Sequence, residues 1–194
     1  YLYSKKDEPV PTGSCLILIT PDSERTMCTF LGTAGKISDK DIDETEIKNS
    51  EITMLEGYLW DEGDPKRAFD KAINCSNKVA MSLSDIFCVE RHKKHFLELV
   101  KNKIDIVFAN EQEVLSLLNT KSFDEVVYFC KNLDKEIVIT RGSKGAISIK
   151  GEKVWEQTAE KNLTITDLTG AGDLFAAGYL HGVSNKMSIA DSLQ

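Results

Sequence analysis

The sequence predicts an α/β fold: a mainly parallel sheet with helices on both faces and a hairpin appended to it. Three observations lead there. Short apolar runs alternate with helical patterns from Ile52 to Thr140. Those runs are apolar almost throughout instead of at every second residue, which marks strands buried on both faces of a parallel sheet. Two further strand-like runs after Gly145 are joined only by Lys150-Gly151-Glu152, a connection short enough for a hairpin and too short for a crossover.

Each element follows from local chemistry. The run from Cys15 to Thr20 is closed by Pro21-Asp22, a polar turn runs to Arg25, and Thr26 to Leu31 is apolar again, so two tightly joined strands are expected. Ser38 followed by Asp39, Asp41 and Asp43 sets a cap-type residue before acids, which predicts a short helix with its positive end there. Residues 52–59 read as strand, 64–75 as helix with Pro65 in its first turn, and 78–83 as strand. A helix over 90–101 places Phe96, Leu97 and Val100 on one face, leaving His92 and His95 among Lys and Glu as surface residues. Residues 104–109 and 136–140 are expected strands, and 111–118 and 123–133 are expected helices. The hairpin covers 145–149 and 153–155. A last helix runs from Gly170 to about Val183, with Ala171, Ala176, Ala177 and Gly178 suited to a close neighbour.

Composition narrows the function classes. At 194 residues and 41% hydrophobic content, one domain can bury a core without staples. The net charge of -7 and the absence of a basic block argue against a nucleic-acid binder, since phosphate-backbone affinity comes mainly from clustered Lys and Arg. Five scattered cysteines form no Cys-x-x-Cys pair, which suggests reduced thiols and a cytoplasmic protein. No apolar run has the length of a membrane span, and the opening Tyr1-Leu-Tyr-Ser-Lys-Lys-Asp-Glu lacks a signal-peptide core. The chain has no initiator Met and stops within a helical stretch at 190–194, so residues 1–194 are expected to be one partial domain of a longer protein.

The segment Asp167-Leu-Thr-Gly-Ala-Gly-Asp173 carries the chemistry. Its glycines precede an amphipathic helix, where backbone N–H groups point outward at the positive end of the dipole and no Cβ blocks a ligand. That is a cradle for phosphate. Asp173, in the first turn of the same helix, is placed to take a proton from a hydroxyl held beside the anion, and the pair satisfies both demands of phosphoryl transfer, positioning and charge stabilisation. Alone, the same residues would describe a tight turn with a favourable acid at a helix start.

The run resembles the C-terminal signature of the PfkB, or ribokinase-like, carbohydrate and nucleoside kinases, Asp-Thr-x-Gly-Ala-Gly-Asp-x-Phe, with Leu168 where Thr is usual. The resemblance implies a Rossmann-like ribokinase fold and an ATP-dependent kinase using Mg2+. Asp173 would be the general base, and the backbone of Gly170, Ala171 and Gly172 the anion hole. Asp167 and Thr169 would help bind a monovalent cation, K+ in many members. Asn110-Glu-Gln-Glu113 resembles the family's Asn-x-x-Glu motif, which assigns Asn110 and Glu113 to Mg2+ and phosphate handling, with Glu113 acting on the metal indirectly. Thr140-Arg-Gly-Ser-Lys-Gly145 resembles its Thr-x-Gly-x-x-Gly turn, which places Thr140, Gly142 and Gly145 at the nucleotide. All three motifs fall at strand ends in family order.

The upstream part is most similar to the adenosine kinase branch. The stretch from Thr12 to Met27 resembles its Arg-bearing strand and turn, Leu55-Glu-Gly-Tyr58-Leu-Trp60 its Gly-aromatic segment, and Leu83-Ser-Asp-Ile-Phe-Cys-Val89 a bacterial Ser-Asp-Pro-Phe-Cys-Val run with Ile86 replacing Pro. By resemblance Arg25 would steady the transferring phosphate and Tyr58 would stack on the base; taken alone, they read as a solvated arginine and a core tyrosine. The expected acceptor is the 5′-hydroxyl of adenosine. A sugar kinase of ribokinase or fructokinase type and a non-catalytic nucleotide-binding protein stay open. A dinucleotide-binding oxidoreductase is disfavoured, since no Gly-x-Gly-x-x-Gly follows an early strand. The partial chain itself is expected to bind nucleotide weakly without turnover.

Overall fold

The computed structural model describes residues 9–194; the opening residues with no signal-peptide core lie outside them. Strands β1 (Thr12–Ile19) and β2 (Arg25–Gly32) pair antiparallel as a separate ribbon. A short helix, α1 (Glu44–Asn49), leads into the main sheet. There β3 (Thr53–Glu56), β4 (Val79–Ser82), β5 (Ile106–Asn110) and β6 (Glu136–Thr140) run parallel, followed by β7 (Ala146–Lys150) and β8 (Lys153–Gln157) in antiparallel pairing. The spatial order of the six strands is their chain order.

That order decides where the helices go. Successive crossovers of one hand, each to the next strand along, place their helices on one face. These are α2 (Asp64–Cys75), α3 (Ile86–Asn102), α4 (Glu111–Leu118) and α5 (Phe123–Lys131), and they share a core with Met81, Val107, Ile137 and Ile139. After the antiparallel edge, α6 (Ala171–Ser184) and α7 (Ile189–Ser192) cover the opposite face, where Ile106, Phe108 and Val138 meet Tyr179 and Leu193. Alternate residues of β5 thus enter two cores, which explains its unbroken apolar sequence.

The structure corrects several boundaries. The strand expected over 52–59 stops at Glu56 and continues as a 3-10 turn, Gly57–Leu59. A Cβ at Gly57 would lie 3.0 Å from the carbonyl oxygens of Ser82 and Leu83, so the chain passes the end of β4 backbone to backbone there and leaves the sheet. The helix expected at Ser38 is split into a 3-10 turn, Asp39–Asp41, and α1, because Asp43 caps Thr45 N at 2.9 Å and starts a second element. Helix α3 begins earlier than expected, at Ile86, where the Asp85 carboxylate accepts from Phe87 N at 2.7 Å. Strand β5 begins two residues late, at Ile106, while the Asp105 carboxylate accepts from Val79 N at 2.8 Å.

His92 is not a surface residue. It is buried at a kink in α3 (φ -120°, ψ 19°), edge-on to Trp60 at 4.6 Å, and burial lowers its pKa. Of the small residues in α6, Ala176 is buried and Gly182 packs so closely on Ser192 that a Cβ would clash. Ala171, Ala177 and Gly178 face outward instead. The ribbon carries exposed Leu16, Leu18 and Phe30, and its turn is tied to the segment before α6 by Ser23 Oγ donating to the Ile165 carbonyl at 2.7 Å.

Candidate active site

Asn110, Thr140 and the Tyr58 turn lie at the carboxyl ends of the parallel strands, where open α/β sheets place their ligands. Glu56 ends β3 opposite Ser82 of β4, and Asn110 ends β5 in register with Thr140 of β6. Two motifs found separately along the chain are therefore neighbours across one ladder.

Asn110 caps α4 reciprocally. Its Oδ1 accepts from Glu113 N at 2.9 Å, while Glu113 Oε2 accepts from Asn110 N at 2.9 Å and Glu113 Oε1 from Asn110 Nδ2 at 2.7 Å. Glu113 is 5% exposed. Burial pushes its carboxyl up to about 7, with the charges of Asp85 and Glu56 acting the same way against the Asn110 backbone hydrogen bond. Next to it, Glu111 accepts from Arg141 Nε at 2.8 Å and Lys144 Nζ at 3.3 Å, and the Arg141 guanidinium lies 3.7 Å over the Phe123 ring. These contacts clamp the Thr140-to-Gly145 loop onto α4. Gly145 (φ +94°) is sterically obligatory, since a Cβ would meet the Gln157 carbonyl oxygen at 1.9 Å. Gly142 (φ +56°) opens onto clear space.

Helix α6 starts without a side-chain cap. Gly170 is left-handed (φ +76°), and a Cβ at Gly170 or Gly172 would meet nothing, so the helix start is open to an incoming group. One expectation is revised: the Ala171 amide already donates to the Leu168 carbonyl at 3.2 Å. Among the helical residues of this first turn, that leaves the amides of Gly172 and Asp173 for an anion. Asp173 is exposed, and its charge reaches Glu56 at the end of β3, whose carboxyl is raised first by burial and further by Asp173. Asp167 Oδ1 accepts from Thr169 N at 2.8 Å, and that bond, with a smaller contribution from Arg25, draws its carboxyl down.

Arg25 and Tyr58 arrive from other elements. Arg25 is exposed at the start of β2, close enough for its charge to favour ionisation of both Tyr58 and Asp167. Tyr58 follows β3, half exposed, and its hydroxyl donates to the Ser84 carbonyl at 2.8 Å. Burial, with Asp85, Cys88 and Glu113 nearby, pushes its phenol up to about 12. Glu56, Ser84 and Asp85 belong to this neighbourhood, although the sequence motifs assign them no role. The only sequence signal for them was their place beside Gly57 and within the Ser-Asp-Ile-Phe-Cys-Val run.

Farther along, α6 is pinned from beneath. Tyr179 OH donates to Glu136 Oε1 at 2.7 Å and lies 3.0 Å from Ser148 Oγ, while Lys150 Nζ pairs with Glu136 Oε2 at 3.0 Å. Tyr179→Phe should leave two buried polar groups short of a partner and lower stability by about 1–3 kcal/mol. Urea unfolding checks this; an unchanged midpoint would show that the network does not hold the helix.

Residues 2–194 match the model of the pfkB family carbohydrate kinases. The adenosine kinase of Sinorhizobium meliloti superimposes with a TM-score of 0.91 at 35% identity, covering 95% of this chain and 58% of that one. A probable sugar kinase from Rhizobium etli CFN 42 does so with a TM-score of 0.94 at 34% identity, covering 98% and 60%. The adenosine kinase of Schizosaccharomyces pombe is 26% identical over 204 residues, covering 94% of this chain and 60% of the relative. The chain thus spans about three fifths of these relatives' length, with the same ribokinase-type α/β fold. An uncapped Gly-Ala-Gly-Asp helix start and strand ends bearing Asn110-x-x-Glu113 and Thr140-x-Gly142 accompany a match over nearly the whole chain: it belongs to the pfkB family of carbohydrate kinases.

Proposed function

We propose that the protein containing this chain transfers the γ-phosphate of ATP to a primary hydroxyl of a nucleoside, the 5′-hydroxyl of adenosine. The observation that carries this reading is the start of α6, where an exposed carboxylate and open backbone amides share one rigid element. Asp173 takes the proton of the acceptor hydroxyl. The acceptor oxygen bonds to the γ-phosphorus as the bond from that phosphorus to the bridging oxygen breaks, and ADP leaves with the electron pair.

The amides of Gly170, Gly172 and Asp173 steady the charge on the phosphoryl oxygens, while that of Ala171 is held by the Leu168 carbonyl. Arg25 adds a permanent charge whose fork fits phosphate. Thr140, Gly142 and Gly145 line the nucleotide. Among the described residues no three His, Cys, Asp or Glu side chains could hold a metal between them. Both Glu113 oxygens are engaged by Asn110, so this pair suits a hydrated Mg2+ contacted through water. Mg2+, when bound with the nucleotide, neutralises phosphate charge and fixes its geometry. Asp167 and Thr169 are the proposed K+ residues. No described helix is long and apolar enough to cross a membrane, and all five cysteines are free thiols, which fits a cytoplasmic enzyme acting on small molecules.

Tyr58 and the 35% identity to an adenosine kinase favour a nucleoside acceptor. The likeness to the Rhizobium etli probable sugar kinase supports a second reading, a kinase of ribokinase or fructokinase type. An ADP-release assay of the full-length protein across adenosine, inosine, ribose and fructose separates them. The expected result is a kcat/KM for adenosine about 100-fold above that for ribose, since a site built around a base loses much of its binding when the base is missing. Ribose or fructose as the fastest acceptor would transfer the conclusion to the sugar kinases.

A further inference from the structure

Ser84 adopts a left-handed backbone (φ +72°) between the end of β4 and the Asp85 cap of α3. For a residue with a Cβ such a conformation costs about 1–3 kcal/mol and persists only where its surroundings over-determine it. Here the surroundings are the turn after β3. Ser84 Oγ donates to Glu56 Oε2 at 3.0 Å and accepts from Tyr58 N at 3.3 Å, and the Ser84 carbonyl accepts from Tyr58 OH at 2.8 Å. Ser84 N donates in turn to Ser82 Oγ at 3.1 Å. Between the bonded partners, Gly57 lets the two loops touch backbone to backbone.

The clasp has a chemical consequence. Tyr58 is 50% exposed, yet its hydroxyl proton and its amide N–H are both given to Ser84. With both donors committed, the broad surface it offers a ligand is the ring. We propose that Ser84 is a positioning residue for the acceptor: by locking Tyr58 as a fixed aromatic wall, it favours acceptors bearing a planar base over bare polyols. The proposal rests on the nucleoside reading above. An aromatic face binds a base by stacking and gives a sugar hydroxyl no partner. Removing the serine hydroxyl frees the Tyr58 turn and takes a donor from the half-buried Glu56.

The test uses the full-length protein with Ser84→Ala and Ser84→Gly. Alanine removes the hydroxyl and keeps the backbone strain, whereas glycine removes the hydroxyl and relieves it, so the second variant keeps a folded enzyme if the first does not. In both, KM for adenosine should rise about tenfold, as for one lost ordering hydrogen bond, with kcat and KM for ATP nearly unchanged. The ratio of adenosine to ribose kcat/KM should fall with it. Tyr58→Phe, which loses the bond to the Ser84 carbonyl, should shift the same two quantities.

An adenosine KM unchanged in Ser84→Gly overturns the proposal. So does a parallel loss of kcat and both KM values that follows thermal stability, because that is the mark of a structural role. The wild-type acceptor panel decides the underlying reading separately: preference for ribose there overturns base selection. The variant-to-wild-type KM ratio on the preferred acceptor then still decides whether Ser84 acts on the acceptor.

Discussion

Replacing Asp173 by Asn in the full-length protein should lower kcat by about 10²–10⁴, the range lost when a positioned general base is removed. Asparagine keeps the shape of the side chain and cannot take the hydroxyl proton. The change sits in the exposed first turn of α6, so it disturbs no core packing. Loss of an acid at a helix start accounts for only about 0.3–1 kcal/mol of stability, too little to unfold the domain. ATP affinity should stay close to wild type, because the strand-end residues and the Gly172 amide are untouched. Steady-state kinetics together with an ATP titration check both halves; near-normal turnover would remove Asp173 from the mechanism.

Glu113→Gln should produce the second large effect, and its sign depends on pH. The carboxyl ionises near its ordinary 4.5 in the unfolded chain and near 7 in the fold, where burial opposes the charge. Between those values the folded protein holds a proton that the unfolded chain has released. Glu113's contribution is therefore fully present below the unfolded value and is lost as pH rises through 7. Gln carries no charge at any pH, but its NH2 must face one of the two Asn110 donors while its oxygen keeps the other, which costs about 1–3 kcal/mol. Wild type should exceed the variant in stability at acidic pH, and the gap should shrink by up to about 3 kcal/mol toward pH 8. Urea unfolding across this range measures it, and a constant gap would mean that Glu113 is not held protonated. The Mg2+ concentration giving half-maximal rate should rise about tenfold in the same variant, as for loss of a group that orients a metal's shell.

Much of this arrangement was legible because local chemistry and tertiary structure agree. The helix over 111–118 and the strand over 136–140 match the structure residue for residue. Asn110 announces the helix by its cap, Asn119 ends it in the left-handed conformation, and the strand is an unbroken apolar run. The Gly-Ala-Gly-Asp start is equally local. What stayed hidden depends on approach between distant segments. The early end of β3 follows from the contact of Gly57 with the loop after β4, and nothing in the residues around Gly57 discloses that neighbour. The left-handed turn at Ser84 has no glycine or asparagine to mark it; its partners Glu56 and Tyr58 lie one crossover upstream. His92 sits among lysines, and only the packing of Trp60 onto α3 makes that face an interior. Of the amides in the expected anion hole, that of Ala171 is diverted by the Leu168 carbonyl, the residue at which this chain departs from the family pattern.

The proposed agent of γ-phosphate transfer to the acceptor hydroxyl is the start of α6. Phosphorus NMR of the full-length protein with ATP, Mg2+ and adenosine, run for wild type and Asp173→Asn together, tests it most directly. Wild type should convert the γ-phosphate resonance into that of a nucleoside 5′-monophosphate, mole for mole with ADP, and the variant should leave ATP standing. Inorganic phosphate as the product, or transfer by the variant at the wild-type rate, would contradict the claim.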